Sequence, residues 1–212
     1  MKVTRDRRAS RWDDHRTQRR AALVDAAIAA IRERGAGLGM DDVAAGAGTS
    51  KTVVYRHFGD RTELYLAVCA RVAEVLVGQV RSAMERAGGP RAKAAAGIEA
   101  YLRLIEHDPE VYRFVVHRPL VDRELDADPV ADLVSLVGDE AAAVIAAQLR
   151  RTGKDTTAAT TWGHAIVGLV RGAGDNWLAR PAGMTREELA AHLTDLAWAG
   201  LSGVVATPVE EI

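Results

Sequence analysis

The 212-residue chain predicts an all-α protein. Three observations carry that prediction. Apolar residues make up 48% of the chain but aromatics only 5%, and alanine dominates the apolar set, which favours closely packed helices. Runs of β-branched residues bounded by turn residues are essentially absent. Apolar residues recur instead at helical spacing: Leu23, Ala27, Ala30 and Ile31 near the start, Trp162, Ile166, Leu169, Val170, Ala173 and Trp177 near the end.

The first helix is expected from about Arg16 to Arg34, ending at the loop Gly35-Ala36-Gly37-Leu38-Gly39. No strand precedes that loop and no Gly-Lys-Ser/Thr follows it, so it reads as a hinge and not as a phosphate cradle. Residues 1–15 form a basic arm with Lys2, Arg5, Arg7, Arg8 and Arg11, expected to lack fixed structure at its start. With Arg16, Arg19 and Arg20 it can follow a minor groove or phosphates, or stay solvated.

Gly39 to Gly59 reads as a short helix, a glycine turn and a second short helix, the arrangement of a helix-turn-helix. Ala44 is small where the helices cross, and Gly48 can take the left-handed conformation that ends the first of them. Val54 is apolar where the second helix packs back. Thr49 or Ser50 is expected to cap that helix through its hydroxyl. A helix this short needs anchoring, which Val53, Val54, Tyr55 and Phe58 supply. Ser50, Lys51, Thr52, Arg56 and His57 are left for solvent or for DNA. Asp60 with Glu63 resembles a capping box, and Arg61 in the next first turn is placed to hold a phosphate. Spacing alone leaves two readings open, a DNA reader or a surface helical hairpin.

A long helix should follow from Asp60 to about Ala87, carrying Leu64, Val68, Val72, Val75 and Val80 and stopped by Gly88-Gly89-Pro90. Further helices are expected over 91–107, 109–118 and 129–152, punctuated by Asp108-Pro109, Arg118-Pro119 and Asp128-Pro129. The last pair, within 156–206, is broken at Pro181-Ala182-Gly183, restarts at a Thr185/Glu188 capping box, and repeats Leu189, Leu193, Leu196, Gly200 and Val204. That makes about nine helices. The final two form an antiparallel hairpin that can be internal core or can meet its own copy across a two-fold axis. Glycines 163, 168, 172, 174, 200 and 203 would let neighbouring backbones approach.

A net charge of −1 hides an uneven distribution. Residues 1–64 carry 13 Lys or Arg against 9 Asp or Glu, and the remainder 15 against 20, so the front end suits a polyanion. Cys69 is the only cysteine, which excludes an internal disulfide and a multi-cysteine zinc site. The six histidines show no ligand spacing, and Gly-x-Ser-x-Gly is absent, so no metal, cofactor or catalytic site is expected. No apolar stretch approaches the ~20 residues that span a bilayer. No apolar segment follows the N-terminal basic residues, so a secretory signal is not expected.

The stretch from Asp42 to Phe58, with its Tyr55-Arg56-His57-Phe58 ending and Arg61 and Leu64 beyond, resembles the N-terminal domain of TetR-family transcriptional regulators. The resemblance runs from about Arg20 to Val68. It departs from the family at Gly39, where a phosphate-touching Thr is usual, at Thr52-Val53-Val54, where Gly-Thr-Leu is usual, and at Arg61, where Lys is usual. It implies a DNA-binding domain over 16–64 and an effector-binding and dimerisation domain over 65–212. The implied protein is a cytoplasmic homodimer on a palindromic operator, a ligand-relieved repressor or else an activator, and not an enzyme. The implied DNA contacts are Lys51 and Thr52 to base edges, Ser50, Tyr55, His57 and Arg61 to phosphates, with Thr49 and Arg56 alongside. An apolar pocket would draw on Val72, Leu76, Tyr101, Ile105, Phe114, His117 and Trp162, with His107, Arg113 and His164 as further polar points, and would suit a lipophilic effector. The dimer interface would use Trp162, Ile166, Leu169, Ala173, Trp177, Leu189, Leu193, Leu196 and Gly200.

Overall fold

A computed structural model describes residues 3–117, 120–121, 123–125, 128–180 and 183–206, with side chains described within 15–200. Among the described residues there are nine helices and no strand. In chain order they are α1 (Val3–Arg34), α2 (Met40–Gly46), α3 (Lys51–Phe58), α4 (Arg61–Arg86), α5 (Pro90–His107), α6 (Pro109–His117), α7 (Pro129–Arg151), α8 (Ala159–Ala179) and α9 (Arg186–Ala206). Most limits fall within a residue or two of the breakers expected to set them. The exception is α1, which starts at Val3 and not near Arg16. No glycine or proline interrupts 3–34, and arginine and alanine are good helix formers, so nothing stops the helix from running into the basic arm. The side chains of Lys2, Arg5, Arg7, Arg8 and Arg11, and position 203, lie outside the described ones.

The chain divides into two compact units, 1–72 with 110–126, and 73–109 with 127–212. The first holds α1, α2, α3, the start of α4, and nearly all of α6. The expected stripe of α1 is its core: Leu23, Ala27, Ala30 and Ile31 are buried, together with Val43, Val54, Phe58, Leu64, Tyr65 and Val68. Burying each of the larger side chains contributes about 1.5–3 kcal/mol. Tyr65 and Phe114 place their ring centroids 5.8 Å apart, and the buried Tyr65 hydroxyl donates to the Val115 carbonyl at 2.7 Å. This pair draws α6 into the first unit although 50 residues separate the hydrogen-bonded partners.

The second unit is organised differently. Its principal packings are α7 along α8 and α5 along α9. Helices α8 and α9, expected as a hairpin, are joined by a short connection, and each takes another helix as its main neighbour. Backbone proximity decides the α7/α8 pair. A Cβ at Gly163 would lie 2.6 Å from the Gly138 carbonyl oxygen and 2.6 Å from the Ala142 nitrogen. On another turn of α8, a Cβ at Gly174 would lie 2.9 Å from Ile105 and 3.2 Å from Tyr101 of α5. Helix α9 is capped as its sequence predicts: Thr185 N–H donates to Glu188 at 2.8 Å and Glu188 N–H donates to the Thr185 hydroxyl at 3.2 Å. Arg186, beside that cap, reaches Glu99 at 2.9 Å and Glu106 at 2.6 Å and so ties α9 to α5.

Candidate nucleic-acid interface

Helices α2 and α3 are joined by a turn whose hydrogen bonds can be followed one by one. Gly48 has φ +59°, and its N–H donates to Ala45 at 3.1 Å, while Thr49 N–H reaches back to Ala44 at 2.9 Å. This is the Schellman closure, which satisfies the last carbonyls of α2 and turns the chain sharply. Ala44 and Val54 are both buried, as the expected crossing of the two helices requires. On the other side of α2, a Cβ at Gly46 would sit 3.4 Å from the Ala30 methyl, so α2 lies close on α1 as well.

Gly39, the residue before α2, has no hydroxyl to offer, and its carbonyl accepts from the Asp42 N–H at 3.2 Å and the Val43 N–H at 3.3 Å. Its N–H donates to Asp42 at 2.9 Å, and Arg34 donates to the same carboxylate at 2.6 Å. The backbone bond first, and then the Arg34 bond, hold the Asp42 pKa below its ordinary value. One carboxylate thereby joins the end of α1 to the start of α2. The loop between them is held by Glu110 of α6, which accepts from the Ala36 N–H at 3.0 Å and pairs with Arg113.

At the start of α3 the structure corrects the expected cap. Ser50 occupies the cap position in an extended conformation, but its hydroxyl makes no capping hydrogen bond. The Ser50 backbone carbonyl takes up the first N–H groups instead, Val53 at 2.9 Å and Val54 at 3.3 Å. Ser50, Lys51, Thr52 and Arg56 are exposed, Thr49, Tyr55 and His57 half-buried, and Val54 and Phe58 buried. Lys51 donates to Asp41 at 2.9 Å, and that bond raises its pKa. The last turn gathers positive charge. Arg20 of α1 stacks 4.7 Å over the Phe58 ring. Burial first, then Arg56, Arg19, Arg16 and Arg20, push the His57 pKa down. The imidazole is therefore neutral near pH 7 among four arginines. Arg61 is half-buried, and its Nε makes no hydrogen bond among the described residues. Asp60 caps α4 by accepting the Glu63 N–H at 2.6 Å and also pairs with Arg123 at 3.4 Å.

The expected pocket residues are distributed over several clusters. Leu76 and Tyr101 share an apolar cluster with Val80 and Ala100, and Ile105 joins Tyr101 against Gly174. Trp162 packs with Ile166 against Ile145, Leu149 and Ala159. Val72, Phe114 and His117 belong to the first unit, where Phe114 is buried on Tyr65 and His117 is exposed. Of the expected interface residues, Leu189 and Leu193 are buried within the chain. Ala173 and Trp177 are half-buried, and Leu169, Leu196 and Gly200 are exposed. Sequence reasoning missed Asp41, Glu110 and the Arg20–Phe58 stack. Their partners lie 10, 74 and 38 positions away in non-repeating contexts, which no periodicity reveals.

A short outward helix with a hydroxyl, a lysine and an arginine, set by a glycine turn on two supporting helices, defines the helix-turn-helix class of DNA-binding regulators. Residues 23–68 match the family model described as bacterial regulatory proteins, tetR family. Residues 79–209 match the tetracyclin repressor-like C-terminal domain. An uncharacterized HTH-type transcriptional regulator of Mycobacterium tuberculosis is 33% identical over 204 residues, 96% of this chain and 86% of that protein. The HTH-type transcriptional activator FasR of Mycolicibacterium smegmatis is 31% identical over 193 residues, 91% of this chain and 87% of that protein. Among solved structures, a tetR-family regulator from Streptomyces coelicolor superposes with a TM-score of 0.70 at 20% identity, covering 90% of this chain and 82% of that one. The regulator FadR of Bacillus subtilis, solved in complex with stearoyl-CoA, gives 0.70 at 14% identity, with 85% and 98% covered. The chain belongs to the TetR family of helix-turn-helix transcriptional regulators.

Proposed function

We propose that the protein is a cytoplasmic homodimeric repressor that binds a palindromic operator and is released by a small apolar effector. The observation that carries the DNA-binding half is the outward set on α3. Ser50, Lys51, Thr52 and Arg56 are exposed, and the Ser50 hydroxyl is not spent on its own helix. Two copies of α3 would enter successive major grooves about 34 Å apart. Lys51 and Thr52 would face base edges. Ser50, Tyr55, His57 and Arg61 would meet phosphates, with Arg16, Arg19 and Arg20 adding charge beside them.

The exposed face of α8 and α9 supports the dimer. Gly168, Gly172 and Gly200 have open space where a side chain would stand, and Leu169 and Leu196 are exposed beside them. Small residues there would let a second copy approach closely, as the interior glycines let α7 approach α8. The apolar character of the cluster around Leu76, Val80, Ala100 and Tyr101 supports a lipophilic effector. The ligand would act by preferring one conformer, and can relieve DNA binding only by its difference in affinity between the two.

A relative named as an activator favours a second reading in which the same DNA contact activates. The sign depends on where the operator lies relative to the promoter. An enzymatic reading finds one arrangement to examine, Ser135, His164 and Asp139. Ser135 lies 3.5 Å and Asp139 3.9 Å from the same His164 Nε2, while Nδ1 faces the Thr160 carbonyl at 2.9 Å. A triad needs its carboxylate on the nitrogen opposite the nucleophile, so this one is wired against catalysis.

The test is a band shift with inverted repeats from the upstream region, at two salt concentrations, with light scattering for the dimer. Salt-dependent binding by a dimer is expected. A monomer that ignores duplex DNA at low salt would remove the reading. Reporter expression with and without the protein then separates repression from activation.

A further inference from the structure

Two adjacent carboxylates begin α2, and they have different partners. Asp42 is committed to the fold through the Gly39 N–H and Arg34. Asp41 bonds Lys51 of the reading helix at 2.9 Å, with 78% of its own side chain and 48% of the lysine's exposed. The fold has little need of that pair, since exposed ion pairs contribute little and α2 and α3 are already joined by the Gly48 turn and the buried Ala44 and Val54.

We infer that Asp41 restrains sequence-independent DNA binding by holding Lys51 and by setting a negative charge beside it on the face that meets the duplex. This rests on α3 being the DNA-reading helix. Before Lys51 can meet a phosphate or a base-edge acceptor it must leave Asp41, and Asp41 is then left next to a polyanion. On arbitrary sequence, one anion merely replaces another, so the exchange gains little. On a cognate site the base-edge bonds made by the released lysine and its neighbours offset the loss. Asp41 thus weakens electrostatic binding to DNA, and base-edge bonds are what a cognate site has to set against that cost.

The experiment uses fluorescence anisotropy of a labelled duplex of random sequence, titrated with the full-length protein over a series of salt concentrations. Asp41→Asn is expected to tighten binding by roughly two- to fivefold per reading head and to steepen the salt dependence by about one ion per head. Asp41→Ser should reproduce the change. In a Lys51→Gln background, Asp41→Asn should keep only a smaller gain, the part that comes from lifting its own charge. Wild-type binding with no change on Asp41→Asn overturns the inference alone. An equal gain with and without Lys51 also overturns it, because Asp41 would then act through its own charge and not by holding the lysine. No wild-type binding at low salt removes both the DNA-reading assignment and this role.

Discussion

The two compact units both bury large side chains, but they differ in how closely their helix backbones approach. In the first, large side chains fill the core: Leu23, Ile31, Phe58, Leu64, Tyr65 and Phe114 are almost fully buried. In the second, the tightest approach is backbone to backbone at Gly163, and glycine at 174 lets α5 close in on α8. A side-chain core tolerates some rearrangement of rotamers, whereas a backbone contact leaves nothing to move. The glycines of α8 carry the lesson further, since those at 163 and 174 meet neighbours and those at 168 and 172 face open space. One residue type on one helix thus serves two surfaces.

The largest expected effect comes from breaking the backbone contact. Gly163→Ala should destabilise the second unit by about 3 kcal/mol, while Gly168→Ala, on the proposed dimer face, should cost less, because nothing of its own chain lies within 4 Å of the added Cβ. A calorimetric scan of both variants checks this, and equal melting of the two would erase the distinction between inward and outward glycines. Next is Tyr55→Ala, which should lower operator affinity at least roughly tenfold by removing a proposed phosphate contact, with the dimer intact by light scattering. Unchanged affinity would take Tyr55 out of the interface.

Gly48→Ala sharpens the comparison within the first unit. The φ of +59° is a left-handed conformation, so a side chain there should cost about 1 kcal/mol. Because nothing lies near the added Cβ, the cost is conformational and not steric. Denaturant unfolding measures it, and a neutral result would mean that the turn relaxes freely.

The smallest effect concerns pH. The His57 pKa is depressed by burial and by Arg56, Arg19, Arg16 and Arg20, so the folded chain binds this proton more weakly than the unfolded chain does. Stability is therefore full above the ordinary imidazole value of about 6.5 and falls as the pH drops below it. DNA phosphates would counter the arginine field, so binding should take up a proton. Duplex affinity should rise a few-fold between about pH 7.5 and pH 6, and His57→Gln should flatten that rise. A profile identical in both proteins would show that another group titrates.

Much of the reader was legible because its determinants are local. Gly48 follows Ala44 by four positions, and its turn closes through backbone bonds between near neighbours. The capping groups at Asp60 and at Thr185 with Glu188 lie three residues from their partners. The expected hydroxyl cap at Ser50 did not form, and the carbonyl of the same residue accepts the Val53 N–H that the hydroxyl would have taken. The main packing partners of the last two helices were not legible, because a periodic stripe marks a face to be buried but not the helix that buries it.

The amino-acid sequence by itself determined helix class, most helix limits, the glycine turn and the polar face of α3, because periodicity, capping and conformational preference act over a few residues. Only the tertiary structure decided that α8 lies along α7 and α9 along α5, that α6 joins the first unit through Tyr65, and that Asp41 holds Lys51. Those outcomes depend on which surfaces meet across long stretches of chain. The loop-closure cost of such meetings grows only slowly with their separation, so sequence distance alone could not have ranked one partner above another.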